Sequence, residues 1–167
     1  YKKCYDVVYH KYFSKAALGK LTEKESFELP ARELELEESW RELRKRHIGF
    51  QRINKPVLEL CRKLQKQGYT ILLLSKNTPE QFDEALTREH VRWYFKHIIN
   101  TLDLKLPKAS KETMQYVLKK FKVRPEEVVM IDDQDFNLPE AKKLGVHTIY
   151  YKNFPQMKRE LGKFVEV

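Results

Sequence analysis

Two short runs, "YTILLLS" at 69–75 and "EVVMI" at 127–131, are apolar without alternation. A strand with one face in water alternates apolar and polar residues, so unbroken runs fit strands buried on both faces, as in a parallel sheet. The segments around them have a helical period. Val57, Leu60, Cys61 and Leu64 recur at i, i+3, i+4 and i+7 ahead of Gly68, a residue suited to closing a helix. Thr78, Pro79 and Gln81 have the order of a capping box with proline at the first helical position, opening a helix with Phe82, Ala85 and Leu86 on one side. "HIIN" (97–100) reads as a further strand. Met114, Val117, Leu118 and Phe121 mark a helix after it. Leu138, Ala141 and Leu144 carry a short helix ended by Gly145. "VHTIYY" (146–151) is strand-like, and Asn153 is placed to cap a last helix through Leu161. Strand and helix alternate from residue 53 onward. That order predicts an α/β fold, a three-layer Rossmann-like parallel sheet with helices on both faces.

Residues 1–52 differ. Tyr5, Val8, Tyr9, Tyr12, Phe13 and Ala16 follow a helical period, and "LTEKESFEL" and "ESWRELRKR" add two helical patterns separated around Pro30. No buried strand is evident there. The organisation expected is a small all-helical subdomain at 1–52, serving as a lid, and an α/β core at 53–167, with the boundary between Phe50 and Asn54.

Composition excludes several classes. With 41% hydrophobic and 34% charged residues among 167, the chain is globular and not disordered. No apolar run approaches the roughly 20 residues of a membrane span. Cys4 and Cys61 each sit in a helical pattern and are read as buried thiols, which places the protein in a reducing compartment, the cytoplasm. The five histidines lack ligand spacing, so no zinc site is expected. The net charge of +9 favours anionic partners, phosphorylated metabolites or nucleic acid. The basic residues are spread along every helix, so a solvated Lys/Glu surface fits equally well. Trp40 and Trp93 read as packing residues, and no interleaving of aromatic and basic residues of the RNA-binding kind stands out.

In open parallel sheets, ligands bind beyond the carboxyl ends of the strands. The strand at 70–74 delivers Ser75, Lys76 and Asn77; the strand at 127–131 delivers Asp132 and Asp133, with Asn137 four residues on. Lys108, in "LPKAS", lies between them just before a helix. Paired carboxylates suit Mg²⁺, which takes hard oxygen ligands and keeps several waters. A hydroxyl and an ammonium suit phosphoryl oxygens. Each residue alone has a plainer explanation, as turn, N-cap or surface charge. Their order at successive strand ends is what singles them out.

"ILLLSKNTPEQF", Lys108 and "EEVVMIDDQDFNLPEAKKLGVHTIYY" resemble motifs two, three and four of the haloacid dehalogenase-like (HAD) hydrolases. The likeness covers roughly residues 53–160 and is greatest to the branch holding dehalogenases, small phosphatases and the phosphatase domain of epoxide hydrolases. In that branch a helical cap commonly follows the first strand, a role that 1–52 would fill. The resemblance implies that Asp133 ligates Mg²⁺, Asp132 supports the metal shell and Asn137 orients the acidic loop. Ser75 would bind the transferring phosphoryl group of a small phosphorylated substrate, and Lys108 would hold the nucleophile and phosphate charges together. The second motif departs from the family pattern, which often has asparagine directly after the Ser or Thr. Here Lys76 stands there and Asn77 follows, so the role of Asn77 stays open and Lys76 adds charge at the substrate mouth. The paired aspartates favour phosphate chemistry over metal-free dehalogenation.

A second departure concerns the nucleophile. The family draws it from Asp-x-Asp after a first, central strand, whose first carboxylate attacks phosphorus and whose second is the acid/base. No Asp-x-Asp follows a buried strand in this chain. Asp6 in "CYDVVYH" is the nearest substitute, and its neighbours fit a helix better; "DQD" at 133–135 belongs to the fourth motif. A sheet lacking its central strand leaves backbone groups unpaired, at about 1–3 kcal/mol each. The chain therefore reads as part of a longer one, or as a variant that rebuilt its sheet. Two functions follow: a Mg²⁺-dependent phosphomonoester hydrolase working through an aspartyl-phosphate, inactive as this chain alone, or a catalytically dead scaffold whose basic surface binds a protein or nucleic acid.

Overall fold

A computed structural model describes residues 2–167, apart from the side chain of Glu89. The chain forms two compact units, Tyr1–Asn54 with Leu73–Lys105, and Lys55–Leu72 with Leu106–Val167.

The first unit opens with a helix in three parts: α1 (Lys2–Tyr5), a π-helical stretch Asp6–Phe13, and α2 (Ser14–Ala16). Rings meet along it, Tyr5 and Tyr9 tilted with centroids 4.9 Å apart and Tyr9 and Phe13 edge to face at 5.9 Å. Helix α3 (Glu23–Glu33) packs against that stretch, where Glu33 accepts from Lys11 Nζ at 2.6 Å and Tyr12 Oη at 2.7 Å. Helix α4 (Trp40–Phe50) packs on α3. Both begin with complete capping boxes, Thr22 with Glu25 and Ser39 with Glu42, which satisfy amides that a helix start leaves open. Pro30 does not divide the helical patterns as its position implied. It lies buried inside α3, and the break comes after Glu33.

Strand β1 (Leu72–Ser75) leads to α6 (Pro79–Thr87), with α5 of the second unit preceding it at Lys55–Lys66. A 3₁₀ segment Arg88–Tyr94, strand β2 (His97–Asn100) and α7 (Thr101–Leu104) complete the first unit. β1 pairs with β2. Thr78 caps α6 by accepting from the Gln81 amide, but no reciprocal bond runs from the Gln81 side chain, so only half of the expected capping box forms.

The second unit holds α5, α8 (Lys111–Phe121), β3 (Val129–Asp132), α9 (Pro139–Lys143), β4 (His147–Tyr150) and α10 (Phe154–Leu161). β3 and β4 are parallel, with Val129 opposite His147 and Asp132 opposite Tyr150. Its core gathers Leu60 and Leu64 of α5, Ile149 of β4, and Met157 and Leu161 of α10. Gly68 and Gly145 follow α5 and α9 at φ +94° and +93°, a left-handed backbone that glycine adopts without steric penalty.

The four strands stand where the apolar runs predict, and the α/β alternation holds. They form two separate two-stranded sheets, however, not one continuous sheet. The expectation of strands buried on both faces fails accordingly. All of β1 is half-buried, and Ile131 in β3 is 38% exposed. A two-stranded sheet has only edge strands, and no other strand lies among the described residues to cover them. The thiols depart too: both are free, but Cys4 is exposed and only Cys61 is largely covered. Trp93 is 80% exposed, so it does not pack in the core; its ring stacks at the surface, on His90 at 4.3 Å.

Candidate functional site

β3 ends at Asp132, a residue only 5% exposed. Burying a carboxylate is costly unless its oxygens are met. The turn that follows meets one of them: Asp132 Oδ1 accepts from the Gln134 amide at 2.9 Å and from Asn137 Nδ2 at 3.0 Å. Asn137 is itself buried on a 3₁₀ turn, Asp135–Asn137, and its Nδ2 also reaches Gln134 Oε1 at 3.1 Å. The other oxygen, Oδ2, lies 2.7 Å from Lys108 Nζ.

Lys108 comes from the loop before α8. Ser110 caps that helix by accepting from the Thr113 amide, and Thr113 Oγ1 donates to Pro107 O at 2.8 Å, which ties the loop back on both sides of Lys108. The lysine side chain keeps 18% of its surface in solvent, while that of Asp132 keeps 2%. Of the residues singled out in the sequence, Lys108 and Asn137 thus each contact Asp132, one at each carboxylate oxygen. Asp133, next to the pair, is exposed.

Alternation along a strand end explains the division of labour. Asp132 points inward and is neutralised by protein; Asp133 points out and keeps its oxygens for solvent or a cation. Asp133 with Asp132 as neighbour fits Mg²⁺, which is held by one or two carboxylates plus waters and needs no closed protein cage. Among the described residues no cluster of three or more His, Cys, Asp or Glu side chains forms such a cage.

In the first unit, Ser75 ends β1 half-buried, and Lys76 and Asn77 follow it half-buried. Asn77 is held by its backbone: its amide donates to Asn100 Oδ1 at 3.2 Å, and Asn100 Nδ2 donates to its carbonyl at 3.0 Å. Asn100, 3% exposed at the end of β2, was missed by motif reading. The signal available was its place at a strand terminus in "HIIN". The open role of Asn77 is therefore at least structural, as the backbone half of a clasp that fixes the loop after Ser75. Asp6 lies at the start of the π-helical stretch with its side chain 53% exposed and 4.0 Å from His10, not at a strand end.

A family description of haloacid dehalogenase-like hydrolases matches residues 6–145. The chain belongs to this hydrolase family. It is 29% identical over 115 residues to bifunctional epoxide hydrolase 2 of Rattus norvegicus, covering 66% of this chain and 21% of that protein. It is 26% identical over 106 residues to the glyceraldehyde 3-phosphate phosphatase of Pyrococcus furiosus, covering 63% and 41%. The chain thus spans about a fifth of the epoxide hydrolase and two fifths of the phosphatase. A HAD family enzyme of Bacteroides thetaiotaomicron, solved as a magnesium complex, shares the fold at TM-score 0.71 and 22% identity, over 85% of this chain and 75% of that one.

Proposed function

We propose that this chain supplies the phosphate-holding and metal-holding part of a Mg²⁺-dependent phosphomonoester hydrolase of the helical-cap branch, with residues 1–52 as the cap. The observation that carries the reading is the buried Asp132–Lys108 pair at 2.7 Å beside the exposed carboxylate of Asp133. In this reading Asp133 ligates the metal and Asp132 holds Lys108 and the acidic loop in place. The metal, when bound, neutralises charge on a phosphoryl oxygen. Lys108 adds a fixed positive charge suited to a phosphate, and within the first unit the Ser75 hydroxyl, at the head of a loop clasped through Asn77 and Asn100, is a donor suited to a phosphoryl oxygen. Lys76 adds charge at the mouth. In this reading a carboxylate nucleophile would attack phosphorus and break the ester P–O bond to release the alcohol, and water would then hydrolyse the aspartyl-phosphate to free phosphate and the carboxylate. Asp6, the nearest substitute outside the fourth motif, has an exposed helical setting that does not suit that task. The reading therefore includes inactivity of this chain alone. The magnesium complex of the Bacteroides enzyme and the phosphatase relative from Pyrococcus support the chemistry.

The test has two arms. Calorimetric titration with Mg²⁺ gives saturable binding that Asp133→Asn weakens at least ten-fold while melting is unchanged. Release of p-nitrophenol from its phosphate ester by the 167-residue chain stays at background. Turnover that Asp133→Ala abolishes would overturn the nucleophile assignment, and Mg²⁺ binding unaffected by Asp133→Asn would overturn the metal assignment. Because no Asp-x-Asp follows a strand, a second reading is a catalytically dead scaffold that binds a partner through its basic surface.

A further inference from the structure

The first unit contains a recess of about 410 Å³ lined by Trp40, Arg41, Arg44, Lys45 and Ile48 of α4 and by Glu84 of α6. None of these residues takes part in the phosphoryl chemistry above. The volume lies within the range of small-molecule sites, roughly 300–1,000 Å³.

Its charges are not balanced internally. Arg44 is fully engaged, with Nε 2.9 Å from Glu23 Oε1 and a terminal nitrogen 2.8 Å from Glu84 Oε2. Glu84 also faces Arg88 at 3.8 Å, so the one acidic group of the lining is already shared by two guanidinium groups. Arg41 and Lys45 pair with no carboxylate among the described residues. They lie at i and i+4 on one helix, where like charges face and repel each other. Arg41 stacks at 4.8 Å on the Trp40 ring, which brings a guanidinium fork against an aromatic surface. Trp40 and Ile48 lie along the same helix face two turns apart and give the recess an apolar side.

We propose that this recess binds a small phosphomonoester carrying a flat apolar group. The dianion would sit between Arg41 and Lys45 and remove their repulsion, with the guanidinium donating in the paired geometry that phosphate accepts. The apolar group would lie against Trp40 and Ile48. Arg44, pinned from two sides, forms a rigid floor and needs no rearrangement to receive the ligand.

The probe is phenyl phosphate, titrated at constant ionic strength with a chelator present. The background is Trp93→Phe, which leaves Trp40 as the sole tryptophan of the two. Trp40 emission should change saturably. The midpoint should be at least ten-fold lower than for phenol or for inorganic phosphate, each of which satisfies only half of the site. Arg41→Gln with Lys45→Gln should raise the phenyl phosphate midpoint at least ten-fold at unchanged melting temperature. Lys45→Gln alone should raise it at least three-fold, and Lys45→Arg should restore it. No saturable change with phenyl phosphate, an equal midpoint for phenol or inorganic phosphate, or an unaltered midpoint in either glutamine variant overturns the site.

Discussion

Asp132 keeps its charge out of water because Lys108, Gln134 and Asn137 surround it. Removing one partner of a buried ion pair leaves the other charge uncompensated, at about 3–5 kcal/mol. Lys108→Ala is therefore expected to lower the unfolding free energy by about that amount in a urea titration, far more than truncation of any exposed lysine. The two thiols should separate as clearly. Burial pushes the Cys61 thiol up to about 11 from 9.0, whereas Cys4 is exposed. A thiol-specific disulfide reagent at pH 8 should modify Cys4 rapidly and Cys61 only at the rate of opening. Between pH 9 and about 11 the unfolded chain has lost this proton while the folded chain holds it. The contribution of Cys61 is thus complete below pH 9 and lost as pH rises through its folded value.

The contact between α3 and α4 contains a titrating group. His47 of α4 sits edge-on to Phe27 of α3, with ring centroids 5.8 Å apart. Burial, aided by the Arg44 charge, pulls the His47 imidazole below its ordinary value of 6.5. As pH falls through 6.5 the unfolded chain takes up the proton first, so this contribution to stability is present above that pH and lost below it. The urea midpoint should fall as the pH drops below 6.5, and His47→Asn should flatten that slope. An unchanged slope in the variant would assign the acid sensitivity to another group.

For the molecule as a whole, a net charge of +9 permits non-specific attraction to any polyanion. The enzyme reading expects oligonucleotide binding to be weak and to fall steeply between about 50 and 200 mM salt. Affinity that persists at the higher salt would favour the scaffold reading instead, and a filter-binding or anisotropy titration separates the two. No helix among the described residues is long and apolar enough to cross a membrane.

The sequence alone determined which residues become strands and helices, because periodicity and capping are local. "HIIN" and the end of "EVVMI" lie on strands, Thr78 and Asn153 cap helices, and Gly68 and Gly145 follow helix ends. It also picked out Lys108, Asp132 and Asn137, since order at strand ends is visible in one dimension. Burial and partnership were decided elsewhere. That Asp132 faces inward to Lys108 while Asp133 faces out, that Asn100 clasps Asn77, and that Pro30 sits within a helix all depend on distant residues. So does the pinning of Arg44 by Glu23 and Glu84, which leaves Arg41 and Lys45 as the uncompensated charges of their recess. Spacing along the chain sets which side chains share a face, whereas desolvation and charge pairing are fixed by what the fold brings against that face.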